Sequence, residues 1–581
     1  MTILRIYAAQ INPVVGNIRH NYQLIARHLQ QARDQQADIA VFPELCLTGY
    51  PPEDLLLKPA FIKENQSFLE KLADFTQDII AVTGFAYQDQ GLYNAAAVIC
   101  NKKISCIYKK QLLPNYSVFD EERYFQKGSQ NVVFMAGPVP VGINICEDIY
   151  YSLGPASVQA MLGDAPLIIN ISASPYYTGK IQEREKLLFA RAVENRANIL
   201  YVNLVGGQDE LVFDGSSMVI GPEGQILARA KPFCQDTIIL DLDTTGVEFS
   251  RLGDKKFKDQ RQTLSKRAGC LKVVETGYKI NNKSSRPEPA KDFYHQEISN
   301  TEEEILKALV LGTRDYVVKN GFSKVVLGLS GGIDSAFTAV VAWLALGYPN
   351  VNAVLMPSIF SSEGSIEDSV ALSKNLDINY MTIPISKIYD SYIKELDSYL
   401  KTSQINITKE NLQARIRGNL LMAMSNEYGW LVLATGNKSE VSVGYSTLYG
   451  DMVGGFSPIK DVYKTTVYSI CNFINQKYGN IIPRNIIDKP PSAELKPEQK
   501  DQDSLPEYKL LDSVLKAYIE EEKDHQAIID MGFDPQLVKK VINMVDFSEY
   551  KRRQGAPGIK ITPRAFGKDR RYPITNGFRL S

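Results

Sequence analysis

Short apolar runs alternate with helical stretches along most of the chain, and their order outlines its organisation. In the first half, β-rich runs recur at Ile3–Ala9, Ile39–Phe42, Ile79–Thr83, Ala95–Cys100, Val139–Ile145, Leu167–Ile171, Ile199–Val205 and Ser217–Ile220. Such runs predict strands, and Tyr22–Gln36 and Ile181–Ala197 predict helices between them. Many strands with few long helices indicate a layered α/β domain. Across Val274–Lys291 the pattern dissolves into VETGYKINNKSSRPEPAK, a polar stretch with two prolines and no period, as expected of a linker. The expected boundaries are a first domain over 1–270, a linker over 271–294 and a second domain over 295–581.

Thr301 and Glu304 form a capping-box pattern before the amphipathic run Ile305–Val318, which marks a helix start. Lys324–Leu329 predicts a strand and Asp334–Leu346 a buried helix, and alternation of this kind continues to about residue 480. That order predicts a doubly wound parallel sheet. The Pro- and charge-rich stretch Pro490–Pro506 predicts a mobile loop.

Composition narrows the class without naming it. With 581 residues, the chain exceeds one hydrophobic core, and length suggests about two to four domains. A net charge of -1 gives no general drive toward nucleic acid or anionic membrane. Seven scattered cysteines without a C-x-x-C pair, and only four histidines, argue against a zinc site and suit a reducing cytosol. The N-terminal MTILRIYAAQ lacks the apolar core of a secretory signal, and the longest apolar stretch, around Phe337–Leu346, is about half a membrane span. A soluble, cytoplasmic protein is expected.

The strongest chemical signal is Leu327-Gly-Leu-Ser-Gly-Gly-Ile-Asp-Ser-Ala336, set between a strand and a helix. Adjacent glycines let backbone curl around an anion, and the helix N-terminus aims free N–H groups at it. Ser330 and Ser335 add hydroxyls, and Asp334 can hold Mg²⁺ against phosphate oxygens. No G-K-[ST] follows, so this is not a Walker loop. The bland alternative is a Gly-rich turn with a capping Asp.

A second constellation lies in the first half, in three segments: Phe42-Pro-Glu44-Leu-Cys-Leu-Thr-Gly-Tyr50, Tyr108-Lys-Lys110-Gln-Leu-Leu-Pro-Asn-Tyr116 and Gly142-Ile-Asn-Ile-Cys146-Glu-Asp148. Each reactive group sits just past an apolar strand, where α/β scaffolds present groups to a common crevice. Carboxamide hydrolysis needs a nucleophile, a proton shuttle and an oxyanion stabiliser. Cys146 can supply the thiolate, Glu44 can move protons, and Lys110 can favour the thiolate and face the oxyanion. Glu147 opposes a thiolate on Cys146, so compensation by Lys110 is required. Cys46 reads as a core residue.

Both halves resemble known families. The Glu44, Lys110 and Cys146 order over roughly residues 1–265 resembles the nitrilase superfamily, implying an α-β-β-α sandwich. Its K-x-x-L-P pattern selects Lys110 over the adjacent Lys109, which would point to the opposite side of an extended segment. The resemblance further implies glutamine contacts at Tyr116, Ser174 and Lys180, with Tyr50 gating access. The SGGIDS string resembles the loop of N-type ATP pyrophosphatases. From about residue 295 onward, Glu410–Gly418, Leu433–Glu440, Tyr449–Lys464, Lys489–Leu495 and Lys551–Gln554 resemble NAD synthetases. That likeness implies ATP contacts along Gly328, Leu329, Ser330, Gly331, Gly332, Ile333, Asp334 and Ser335, and at Thr435, Lys464 and Ser492. It implies deamido-NAD contacts at Asn411, Arg415, Glu440 and Lys551, and Mg²⁺ at Asp334 and Glu440.

Together these resemblances imply a ligase that amidates deamido-NAD to NAD with ammonia from glutamine, driven by ATP through an adenylate. Glutamine, deamido-NAD and ATP are the expected substrates, and a homo-oligomer formed through the synthetase domain is the expected assembly. GMP synthetase pairs a similar ATP loop with a glutaminase, but such glutaminases use Cys–His–Glu or an N-terminal cysteine, whereas residue 2 here is Thr and the histidines (20, 28, 295, 525) lack that context. An amidase with an ATP-sensing second domain, and a non-catalytic nucleotide-binding scaffold, are the remaining alternatives.

Overall fold

The computed structural model describes residues 2–266, 270–280, 300–401 and 405–578. The chain divides into two compact units, residues 1–208 with 212–297, and 209–211 with 298–581.

Two large sheets build the first unit. One runs, in spatial order, Asp236–Asp243, Ile3–Gln10, Ile39–Val41, Ile80–Gln88, Leu92–Cys100 and Lys103–Lys109. The other runs Ile226–Arg229, Met218–Ile220, Asn198–Asn203, Leu167–Ser172, Val139–Ile145, Asn131–Ala136 and Leu271–Glu275. Side chains alternate between two buried layers, which explains why the strands read as continuous apolar runs. Ile6, Ala8, Val41 and Val82 meet Val141, Ile143, Ile169 and Val202 between the sheets. Tyr7, Ala9, Ala40 and Ala81 face outward, onto Ile25 and Leu29 of helix Ile18–Asp34 and Phe68 and Leu72 of helix Pro59–Leu72. Helices Pro155–Met161 and Lys180–Asn195 cover the other sheet through Ala156, Ala160, Leu188 and Ala192. The result is the expected α-β-β-α sandwich.

One stretch departs from the reading of the sequence. Leu271–Glu275, assigned to the linker, pairs in parallel with Asn131–Met135 as an edge strand, and Tyr278 is buried in the inter-sheet core. Its five residues, LKVVE, are too short and too polar to signal a strand without their partner. The remainder of the expected linker, 281–294, lies outside the described residues.

The second unit holds four parallel strands in the order Asn379–Thr382, Val351–Leu355, Val325–Gly328, Leu431–Val432. Counted along the chain, this is a 3-2-1-4 order, so the topology reverses between Val325–Gly328 and Leu431–Val432. Ligands of doubly wound sheets bind beyond the carboxyl ends of the strands at that switch point. Tyr389, Ile416 and Leu421 cover one face against Val326, Val354 and Val432, and helix Ile333–Leu346 contacts Val325–Gly328 and Val351–Leu355. The helix over Thr301–Lys319 is capped by Asn300, whose Oδ1 accepts from the Glu303 N–H at 3.0 Å, and not by Thr301. Asn is at least as good an N-cap as Thr, and it stands one residue earlier. The stretch Pro490–Pro506 is loop with one 3-10 turn, Asp501–Asp503. It is pinned, with Asp501 and Leu505 buried and Gln413 Nε2 donating to the Leu495 carbonyl at 2.9 Å.

Candidate active sites

In the first unit, three strand ends deliver buried charge to one place. Glu44 follows Ile39–Val41, Lys110 follows Lys103–Lys109, and Cys146 opens the turn after Val139–Ile145. Glu44 and Lys110 are both 0% exposed, and Lys110 Nζ donates to Glu44 Oε1 at 2.7 Å. Glu44 is oriented by two further donors, Asn94 Nδ2 at 2.7 Å and the Ala173 N–H at 2.8 Å. Lys109, one residue earlier, faces outward onto Asp89 at 2.9 Å and the Tyr93 ring. The alternation of an extended strand separates the two lysines. Cys146 has a positive φ of 44° in a turn held by Asp148, which accepts from the N–H groups of Ile145, Gln111 and Leu112 and from Tyr108 OH. The same carboxylate thereby ties the nucleophile's turn to the segment following Lys110.

Sequence reasoning missed Glu121. Its carboxylate accepts from Lys110 Nζ at 2.9 Å through each oxygen, and from Tyr50 OH at 2.8 Å. Asp120-Glu121-Glu122-Arg123 reads as a solvated acidic turn, so no local signal marked it. Tyr50, expected to gate access, is buried on this carboxylate instead.

Two carboxylates sharing one ammonium set the electrostatics. Burial pushes Glu121 up to about 7, against the pull of Lys110. Burial also drives the Cys146 thiol well above its ordinary range, reinforced by Glu44, while Lys110 only partly opposes this and Glu147 adds to it. Lys110 stays firmly charged: Glu121 and Glu44 outweigh its desolvation. The resting sulfur is therefore a thiol, and the ammonium is already committed to carboxylates. Cys46 is core, in contact with Thr83 Oγ1 at 3.2 Å.

The expected glutamine contacts lie around this cluster. Half-exposed Tyr116 donates to Glu147 Oε2 at 3.0 Å. Ser174 is buried, with Arg184 Nη2 at 3.4 Å from its hydroxyl. Arg184 is itself fully buried against Asp214 at 2.9 and 3.0 Å. Lys180 begins helix Lys180–Asn195, pairs with Glu183 at 3.0 Å and lies over the Tyr150 and Tyr177 rings.

In the second unit, the Gly-rich loop joins strand Val325–Gly328 to helix Ile333–Leu346 at the switch point. Gly331 has φ +77°, and a Cβ there would fall 2.3 Å from the Ser365 carbonyl oxygen, so only glycine fits without strain. Ser330 Oγ and Ser335 Oγ lie 3.1 Å apart within the loop. Asp334 receives Asn437 Nδ2 at 3.0 Å and forms a short ion pair with Lys464 Nζ, which also reaches Glu440 Oε1 at 3.2 Å. Burial, more than Lys464 can offset, raises Glu440 to about 8. Thr435 is half-buried just past the Leu433–Phe456 bridge.

The other expected residues gather elsewhere. Asn411 Oδ1 accepts from Thr447 Oγ1 at 2.7 Å, Arg415 Nε donates to the Leu448 carbonyl at 3.2 Å, and Lys551 Nζ donates to the Gly444 and Ser446 carbonyls at 2.7 and 2.8 Å. All three brace the segment 444–448. Exposed Ser492 accepts from the Glu494 N–H at 3.1 Å, while Glu494 caps Ser362 and Ser365 beyond it.

Residues 5–251 match the carbon-nitrogen hydrolase family and residues 305–555 the NAD synthase family. A glutamine-dependent NAD(+) synthetase of Thermotoga maritima is 47% identical over 582 aligned positions covering 100% of both chains. That of Aquifex aeolicus is 46% identical over 99% of this chain and 100% of its own. The chain belongs to the glutamine-dependent NAD(+) synthetases. The solved synthetase of Acinetobacter baumannii, in complex with ADP, is 40% identical, covers 99% of each chain and matches with a TM-score of 0.73. As a member of this family, the protein is a carbon–nitrogen ligase that amidates deamido-NAD to NAD with ammonia released from glutamine, and ATP powers the step.

Proposed function

We propose that Glu44, Lys110 and Cys146 hydrolyse glutamine in the first unit, and that the loop Gly328–Ser335 with Lys464 activates deamido-NAD in the second. The buried Glu44–Lys110–Glu121 cluster beside a neutral Cys146 thiol carries this reading. A thiol held neutral needs a base at the moment of attack, and Glu44 is aligned by three donors to be that base. As the sulfur adds to the glutamine side-chain amide, Glu44 takes the thiol proton and then hands it to the departing ammonia. Water deprotonated by Glu44 cleaves the thioester and releases glutamate. Lys110 faces the oxyanion, and Glu121 holds its ammonium in place. Tyr116, Ser174 and Lys180 contact glutamine.

In the second unit, the nicotinate carboxylate of deamido-NAD attacks the α-phosphate of ATP and expels pyrophosphate, after which ammonia displaces AMP. The loop's N–H groups, Ser330, Ser335, Thr435 and Ser492 hold ATP, and Lys464 neutralises charge developing on pyrophosphate. Asn411, Arg415, Glu440 and Lys551 contact the dinucleotide. Among the described residues, no group of three or more His, Cys, Asp or Glu side chains could hold a metal. Asp334 and Glu440 nevertheless suit Mg²⁺, which takes one or two carboxylates and completes its shell with phosphate oxygens and water. Bound there, it would neutralise the leaving group. All seven cysteines are free, and no helix among the described residues is long and apolar enough to cross a membrane. Both facts support a cytoplasmic enzyme. We read the assembly as a homo-oligomer through the synthetase unit, and light scattering showing a monomer would overturn that part.

The deciding experiment is Cys146→Ala, assayed with glutamine and then with an ammonium salt. Glutamine-driven NAD formation should vanish while ammonium-driven formation survives. Loss of both in a folded protein would refute the division of labour.

A further inference from the structure

Lys438–Val443 is a six-residue helix that presents two groups to the ATP side. Its N-cap, Asn437, accepts from the Glu440 N–H at 3.0 Å while donating to Asp334, and Glu440 meets Lys464. A helix this short has no stability of its own, so its position must be imposed from outside.

Three cations impose it. At the C-terminal end, Lys551 binds the Gly444 carbonyl and Arg552 Nη1 the Ser442 carbonyl at 2.6 Å. At the N-terminal end stands Lys438, 0% exposed, whose backbone N–H donates to the Val462 carbonyl at 2.9 Å. Its ammonium lies 2.9 Å from Asp461 Oδ1 and 3.0 Å from Glu520, and donates to Thr562 Oγ1 at 2.6 Å and the Arg564 carbonyl at 2.8 Å. Asp461 uses its second oxygen for the N–H groups of Ile561 and Thr562 and for the Thr562 hydroxyl, at 2.8–2.9 Å. The C-terminal segment is thus bound to the turn that carries Asn437 through one ammonium and one carboxylate.

Nothing in the chemistry above uses this ammonium. Desolvating it is costly, and apolar side chains in place of the whole hub, ammonium and carboxylates together, would serve bare stability as well. What the ionic hub supplies is direction: each contact is short, and together they come from three separate stretches of chain.

We propose that Lys438 is a positioning residue of the adenylation site, locking residues 561–564 onto the turn that presents Asn437 to Asp334 and Glu440 to Lys464. The inference rests on Asp334, Glu440 and Lys464 forming the ATP site, as proposed above. Residues 561–564 are then a working part of that site.

The test is ammonium-driven NAD synthesis by the full chain. Lys438→Met leaves Asp461 and Glu520 buried without their ammonium and is expected to unfold the unit, so the deciding variant is Thr562→Val, which removes only the hydroxyl shared by Lys438 and Asp461. It should lower kcat about tenfold or more, as small misplacements at a reacting centre do. It should also raise KM for ATP. In an Asn437→Ala background the same change should cost measurably less than in the parent, because one of the two routes to the site is already gone. Parental kcat in folded Thr562→Val, or losses that multiply in the double variant, overturn the proposal. Asp334→Asn separates the two failures. If it retains synthesis, the reading of the ATP site falls; if it is inactive while Thr562→Val is parental, only the role of Lys438 falls.

Discussion

Replacing Glu121 with Gln keeps the shape of the glutaminase cluster and removes one negative charge. In the native protein both Glu121 oxygens accept from Lys110 at 2.9 Å. The amide offers one neutral acceptor and cannot accept through its nitrogen. Losing one charge-assisted bond and weakening another amounts to about 2–3 kcal/mol, or about 30- to 150-fold in kcat/KM if the ammonium's aim is felt in the transition state. A pH signature accompanies the loss. The Glu121 carboxyl rises from its ordinary 4.5 to about 7 because burial outweighs Lys110. Its folded pKa lies above the unfolded one, so its stabilising contribution is complete below 4.5 and is lost as pH rises through about 7. Ammonia release from glutamine should therefore rise through an inflection near pH 7 in the parent, as the carboxylate forms and grips Lys110, and run low without it in the variant. Thermal unfolding should show the parent losing stability relative to Glu121→Gln over the same pH interval. Parental kcat/KM in the variant, or the same inflection in both proteins, would show that Glu121 does not hold Lys110 in catalysis.

Three further outcomes are expected. Gly331→Ala places a Cβ 2.3 Å from the Ser365 carbonyl at a positive φ, a strain of about 1–3 kcal/mol, and should raise KM for ATP without touching glutamine hydrolysis; an unchanged KM would remove the loop from the phosphate site. Asp214→Ala strands the fully buried Arg184 and should cost about 3–5 kcal/mol in chemical denaturation, against which a loss below about 1 kcal/mol would count. Asp148→Asn cannot satisfy the four donors that meet that carboxylate and should depress glutaminase kcat. Because burial lifts Asp148 to about 6, the parent's stability should also lose a component as pH rises through that value, absent from the variant; identical pH–stability curves would contradict this.

The sandwich and the doubly wound sheet were legible in the sequence because strand identity is a local property. Runs such as Ile39–Phe42 and Leu167–Ile169 are apolar at every position since both of their faces are covered, and Gly331 in its motif announces a turn that only glycine makes. The types needed for amide hydrolysis were also readable, since Glu44, Lys110 and Cys146 each follow a recognisable strand. Their electrostatic state was not. A thiol expected to ionise under Lys110 is instead held neutral, because burial and Glu44 outweigh that ammonium, which is also shared with Glu121, an acid that looks exposed in its own polar run. Lys438 resembles any helix-start lysine until Asp461, Glu520 and Thr562 close around it from distant parts of the chain. Lys551 and Arg415 read as ligand contacts, but nothing local to them showed that they also hold the carbonyls of Gly444, Ser446 and Leu448. Sequence alone determined which residue types stand at the ends of which elements. Only the tertiary structure decided which charges lose their water and which partners replace it, because desolvation belongs to the whole surround of a side chain and not to its neighbours in the chain.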